Sequence, residues 1–276
     1  MTITQTFEHE AVKAFRFGYA PLGKPKLLVY VYFIDGLLID TGQPVMRKQI
    51  VEATQKLPVE QIFVSHHHED HTGNIQQLQQ QHNCKVYAPV KTCEIMKNPP
   101  KLTLAQKLVW GNRGAYPNLT PIANDIKTKN YQFNIIPIPG HASDMAALYE
   151  PNKKWLFSSD LFIGTKIGYY LYTESMKQQI ASTKKILKLD FDTMYCAHNP
   201  QLKNGKKKLA QKLEFLESFF EDVAGLYKQG NSAKAIFKKL KLEENHFVKL
   251  LSGGKLSKLN MVKSVINDLE KSSTQH

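Results

Sequence analysis

The stretch Ser65-His66-His67-His68-Glu69-Asp70-His71-Thr72-Gly73 holds four of the chain's ten histidines within six residues, beside two carboxylates. Imidazole nitrogen is a borderline-soft donor suited to zinc, and carboxylate oxygen binds the same ion at a similar length. The loop follows Ile62-Phe63-Val64, a run that predicts a short buried strand. Residues two apart on an extended chain share a side, so His66 and His68 point one way, with Asp70 and His71 beyond the turn. Two ligand pairs are thereby offered to two neighbouring positions. By the same alternation His67 and Glu69 are spacers that point away.

Buried strands must carry this loop. Residues 27–34 and Leu37-Leu38-Ile39, joined by Asp35-Gly36, read as a hairpin closing at Asp40-Thr41-Gly42. A mixed pattern over 7–19 is compatible with an opening strand. Helical spacing follows over 44–57 and 75–81, then a strand over 84–87. Residues 91–130 are broken by Pro99-Pro100, Gly111, Gly114 and Pro117, with a short helix over 102–110, and read either as a substrate-side insertion or as ordinary connection. Strands are expected at 132–138, 146–149, 155–157 and 193–195, and a helix at 175–187. Beyond Asn199 only helices are expected, at 206–227, 232–240, 243–251 and 257–269, the first with Leu209, Leu213, Leu216, Phe220, Val223 and Tyr227 on one stripe. Strand–helix alternation twice over, then helices, reads as α/β with a helical tail.

His66-x-His68-x-Asp70-His71 resembles the HxHxDH motif of the metallo-β-lactamase-fold hydrolases. Asp40-Thr41-Gly42, Pro139-Gly140-His141, Leu156-Phe157-Ser158-Ser159-Asp160 and Tyr195-Cys196-Ala197-His198 resemble that family's remaining motifs, in order across residues 40–198. The resemblance implies that His66, His68 and His141 hold one metal, that Asp70, His71 and His198 hold a second, and that Asp160 bridges them. Asp40 would then orient the ligand loop. Two Zn2+ ions per chain are the implied cofactor, with iron or manganese as alternatives. Such ions, about 3.5–4 Å apart, lower the pKa of a shared water from about 16 to roughly 7. Asp70 is the implied catalytic residue, orienting that nucleophile and passing on its proton. The implied fold is an αββα four-layer sandwich over 1–204 with a C-terminal helical extension over 205–276. The implied activity is hydrolysis of a small ester, thioester or lactone.

Rival activities within the family are a phosphodiesterase or ribonuclease and a mononuclear iron sulfur dioxygenase; a binding protein on an inactive scaffold is the third. Seven intact ligands argue against the last. The family's diiron flavoproteins place Glu where His68 stands and append a further domain. The glyoxalase II branch ends on GHEYT, where this chain has Ala197-His198-Asn199-Pro200, a departure that weighs against a glutathione thioester.

Composition bounds the rest. The chain has 276 residues, 42% apolar and 22% charged, enough for a sizeable core and unlike a disordered protein. Its net charge of +13 favours anionic partners. From Gln201 onward there are 15 Lys against 8 Asp and Glu, but these lysines lie on the polar faces of amphipathic helices without interleaved aromatics. A solvated face is therefore expected rather than a nucleic-acid surface, and a small molecule is the expected partner. The longest apolar run, 27–34, is far short of the roughly 20 residues of a membrane span. A start without the basic-then-apolar pattern of a signal peptide, and three cysteines without CxxC spacing, lead to an expected cytoplasmic location. Cys196 is expected as a buried strand residue, and His9, His82, His246 and His276 at the surface. Trp110, Tyr116, Tyr169, Tyr170 and Tyr172 are candidates either for the pocket or for core and rim packing, and Lys166 is expected as a solvated lysine rather than an anion contact.

Overall fold

Side-chain alternation divides the strands between two cores. Ile62 and Val64 enter one hydrophobic cluster while Phe63 enters another, and Leu38 separates from Leu37 and Ile39 in the same way. The computed structural model describes residues 1–20, 23–25 and 28–273; Leu27 and His276 lie outside them. Its first sheet runs in the order β1 (Thr2–His9), β2 (Val12–Tyr19), β3 (Leu28–Ile34), β4 (Leu37–Ile39), β5 (Gln61–Phe63), β6 (Lys85–Pro89), β7 (Thr120–Ile122). The first four strands are antiparallel neighbours and the last four pair in parallel. Asp35 and Gly36, both at positive φ, make the predicted tight turn between β3 and β4.

The second sheet comprises β8 (Asp125–Lys127), β9 (Gln132–Pro137), β10 (Ala146–Glu150), β11 (Trp155–Ser159) and β13 (Thr193–Cys196), in the order β13-β11-β10-β9-β8. A pair of two-residue strands, β12 (Tyr170–Leu171) and β14 (Leu256–Ser257), stands apart. The sheets lie back to back over a core in which Tyr32, Ile34 and Phe63 meet Phe133, Trp155, Phe157 and Tyr195. Helices α1 (Arg47–Thr54), α2 (Glu69–Thr72), α3 (Ile75–His82), α4 (Val90–Lys97) and α5 (Leu104–Trp110) fall within the span of the first sheet. Ile50, Leu78, Cys93 and Met96 cover its outer face. Outside the second sheet, α6 (Met176–Leu187) and α7 (Gly205–Lys228) contribute Ile186 and Leu209 to a third core. This is the αββα sandwich, with helical extension, that the motifs imply.

The extension continues through α8 (Ala233–Lys239), α9 (His246–Leu251) and α10 (Lys258–Ser273). Its core joins Leu216, Val223, Ile236, Val262 and Val265 to Tyr170 and Met176 of the sandwich. The buried stripe of α7 is Gly205, Leu209, Lys212, Leu216, Phe219 and Val223. It has Lys212 and Phe219 where Leu213 and Phe220 were expected, and starts at Gly205 without reaching Tyr227, so that a lysine faces inward. Among the described residues no helix is long and apolar enough to cross a membrane.

Strand direction brings the motifs to one edge. β9 and β11 flank β10, each antiparallel to it, and β13 pairs in parallel with β11, so all three end on the same side. His141, Asp160 and His198 follow those ends. β4 and β5, parallel in the other sheet, deliver Asp40 and the histidine loop. Backbone hydrogen bonds from Ala146 to Ser65 and from Tyr30 to Ala197 tie the two sheets together there.

Candidate metal centre

The histidine loop is fixed by what surrounds it. Asp40 accepts hydrogen bonds from Ser65 N at 2.8 Å and Ser65 Oγ at 3.0 Å, and its Oδ2 pairs with His71 Nδ1 at 2.7 Å. Thr41 donates from both N and Oγ1 to the carbonyl of His71. Gly140 has φ +143, and a Cβ there would lie 2.6 Å from Gln179 N, so only glycine lets α6 pack against the turn before His141.

All seven expected ligands come together in two sets sharing one member. His66, His68, His141 and Asp160 each offer an atom within 4.8 Å of the others, and so do Asp70, His71, Asp160 and His198. His68 Nδ1 lies 3.0 Å from His141 Nε2, which lies 3.2 Å from Asp160 Oδ2. His198 Nε2 is 3.4 Å from Asp160 Oδ2 and 3.3 Å from Asp70 Oδ2, and His71 Nε2 is 3.3 Å from Asp160 Oδ1. Ligand bonds of about 2.0–2.1 Å in a tetrahedron put neighbouring donors about 3.3–3.4 Å apart, so these separations fit zinc. Among the described residues, His66 Nε2, His71 Nε2 and Asp160 Oδ1 are buried without a hydrogen-bond partner. Unpartnered buried donors and acceptors are costly, and a cation in the cluster would satisfy all three. The residues present fit a metal pair.

Electrostatics follow the same division. Burial and the neighbouring His71 and His68 hold His66 well below the usual histidine range, and burial with His141 does the same to His68. Both are neutral and ready to ligate. Burial opposes charge on His71, but Asp40, Asp160 and Asp70 outweigh it and raise its pKa well above the usual value. Burial likewise opposes charge on Asp160, yet His198 and His71 hold the carboxyl well below its ordinary range.

Several residues behave differently from the sequence reading, or were not singled out by it. His67 points away as expected, with its N and Nδ1 on the carboxylate of Asp144 at 2.9 and 2.8 Å. Glu69 does not: it is buried, accepts from Gln106 Nε2 at 3.2 Å and lines the cavity beside the cluster. Helix α2 begins at Glu69, so strand alternation has ended before that residue. Glu174, 3.5 Å from His141 Nδ1, and the buried Lys212, donating to Leu161 O at 2.5 Å, also face the site. No local signal marked them; Glu174 merely precedes the Ser175 cap of α6. Cys196 is buried as expected, its thiol pushed up to about 12 chiefly by that burial. Trp110, Lys166 and Tyr169 line the cavity, Tyr116 and Tyr170 are packed into cores, and Tyr172 is exposed. His9 is half-buried, with Nδ1 2.8 Å from Tyr195 Oη, whereas His246 is exposed.

The cavity has a volume of about 330 Å³ and opens over His68, Asp70, His141, Asp160 and His198. Trp110 of the insertion, Ile163 and Ile167 after Asp160, and Leu256 of the tail supply apolar wall. Lys255 Nζ reaches Gln106 Oε1 at 3.5 Å, so tail, insertion and histidine loop meet at one rim.

Fold and site together define a metallo-β-lactamase-fold protein with a buried His/Asp cluster able to hold metal. The sequence model of the metallo-beta-lactamase superfamily matches residues 25–198, and the chain belongs to that superfamily. It is similar to the hydroxyacylglutathione hydrolase of Bdellovibrio bacteriovorus, 31% identical over 144 residues, 52% of this chain and only 50% of that protein. To the hydroxyacylglutathione hydrolase of Idiomarina loihiensis it is 27% identical over 216 residues, 77% of this chain and 76% of that one. A beta-lactamase domain protein from Burkholderia ambifaria superposes with a TM-score of 0.71 at 13% identity, covering 97% of this chain and 89% of that chain. The last is a likeness of fold alone, and it extends into the helical tail.

Proposed function

We propose that this protein is a binuclear zinc hydrolase of a small ester, thioester or lactone. The observation that carries the reading is the pair of ligand sets meeting on Asp160, with three buried ligand atoms unpartnered among the described residues. In this assignment His66, His68 and His141 hold one ion, Asp70, His71 and His198 the other, and Asp160 both. The bound pair would supply hydroxide at neutral pH and polarise the oxygen on which negative charge develops. Asp70 would orient the attacking oxygen and hold the proton it gives up, its Oδ2 lying between His198 and His71 at 3.3 and 3.7 Å. Apolar walls from Trp110, Ile163, Ile167 and Leu256 exclude water around the scissile group.

The catalytic unit is assigned to 1–204, and the 205–276 extension supplies part of the cavity wall through Lys212, Ser252, Lys255 and Leu256. The hydroxyacylglutathione hydrolases among its relatives make a thioester the first substrate to try, and the cavity volume suits a small molecule. The free, buried thiols of Cys84, Cys93 and Cys196 support a reducing, cytoplasmic setting. The test is a panel of thioester, lactone, ester, lactam and phosphodiester substrates on zinc-loaded protein. Turnover of a carboxylic or thioester substrate is expected; turnover of the phosphodiester alone would overturn the reading.

A further inference from the structure

Each ligand histidine needs its second ring nitrogen held, and the partners differ. His71 Nδ1 rests on the Asp40 carboxylate and His198 Nδ1 donates to the carbonyl of Leu28 at 2.7 Å. Among the described residues, the hydrogen-bond partners of His66 Nδ1 are two hydroxyls, Ser65 Oγ and Ser159 Oγ, both at 3.2 Å. Ser159 is itself unusual. It ends β11 at φ +48, a left-handed conformation that glycine adopts without steric cost, and its strand pairing is irregular at that point. A serine there is worse for the backbone than a glycine; what it adds is the hydroxyl, buried 2.8 Å from that of Ser65. Strain kept at a site points to a use for the side chain that imposes it.

Proton accounting gives the direction. With Nε2 of His66 and His71 turned to the cluster as ligand atoms, each Nδ1 carries the hydrogen. The carboxylate of Asp40 only accepts, so Ser65 Oγ donates to its Oδ2 at 3.0 Å. Ser65 Oγ is then an acceptor for Ser159 Oγ–H, and His66 Nδ1–H is shared between Ser159 Oγ and Ser65 Oγ, each 3.2 Å away.

We propose that Ser159 is a positioning residue: with Ser65 it carries the hold of Asp40 across to His66, so that one carboxylate orients a ligand of each metal position. This rests on the binuclear reading above. Such outer partners typically change metal affinity 10- to 100-fold.

The test measures zinc affinity, by competition with a chromophoric chelator, and metal-free melting temperature in the full-length chain. Ser159→Gly and Ser159→Ala are compared with wild type, and Ser159→Gly is repeated in an Asp70→Ala background, where one affinity reports the His66 position. Both single variants are expected to weaken one of the two zinc affinities roughly tenfold. Metal-free Ser159→Gly is expected to melt at or above wild type and above Ser159→Ala, because the strain is relieved while the hydroxyl is lost. Affinity that follows melting temperature, with Ser159→Gly binding as well as wild type, would overturn the proposal and leave two zinc ions in place. A wild-type chain that binds no zinc would overturn the binuclear reading itself.

Discussion

At the scale of single residues, the metal-free cluster pairs its histidines with its carboxylates. Burial opposes charge on His141 and His198, yet Glu174 and Asp160 around the first, and Asp160 and Asp70 around the second, keep both pKa values at about 10. An unfolded histidine titrates near about 6.5. The stability these two groups contribute is therefore fully present below about pH 6.5 and lost as pH rises through about 10. Lys212, brought down to about 8 by burial, changes stability in the opposite sense only above that pH. Melting of metal-free protein should thus fall from about pH 6.5 to 8, while zinc affinity, which displaces the same protons, rises. A metal-free melting temperature that climbs over this window contradicts the assignment. Asp70→Ala is expected to lose one zinc and at least roughly 10²-fold in kcat, read by metal analysis and kinetics; wild-type rates would remove Asp70 from the mechanism. The clustering of the seven candidate ligands was legible because each sits in a short motif directly after a strand. Ser159, Glu174 and Lys212 were not, because what they touch comes from distant parts of the chain.

At the scale of elements, α10 clamps the segment that leads into the site. Asp268 accepts from Ser175 Oγ at 2.8 Å and Lys177 N at 2.9 Å, capping α6 from outside. Ser264 Oγ takes Met176 N and gives to Glu174 O, fixing the backbone of the carboxylate beside His141. Asp268→Ala is expected to cost about 1 kcal/mol, as for loss of a helix cap, with a matching fall in urea midpoint. It should also lower kcat/KM without changing zinc content; an unchanged midpoint would show that α6 does not depend on the tail. Hydrophobic period located most strands and helices, but not all. The opening strand expected over 7–19 is a hairpin of β1 and β2 turning at Glu10, and β7, β8, β12 and β14, two or three residues long, lack the continuous apolar runs that marked β4 and β5. Helix α4 was hidden because Pro99-Pro100 made its surroundings look like loop. In α7 the stripe shifted because Lys212 buries its stem and anchors its ammonium on Leu161 O, which a count of apolar residues does not foresee.

At the scale of the whole molecule, the αββα arrangement was legible through the ordered motifs, while the role of the tail was not. The tail shares cores with the sandwich through Leu209 and through Tyr170 and Met176, and it lends the cavity Ser252, Lys255 and Leu256. Amphipathic spacing gave its helices but not the face they cover. Its lysines stay mostly outward, so the +13 charge is spread over the surface rather than gathered at the centre. Two sheets, one insertion and this extension thus converge on a single carboxylate, Asp160. The measurement that bears most directly on that convergence is anomalous scattering at the zinc edge from crystals of the zinc-loaded chain. Two peaks flanking Asp160 are predicted, one within reach of His66, His68 and His141 and the other of Asp70, His71 and His198. A single peak, or a pair remote from Asp160, would contradict it.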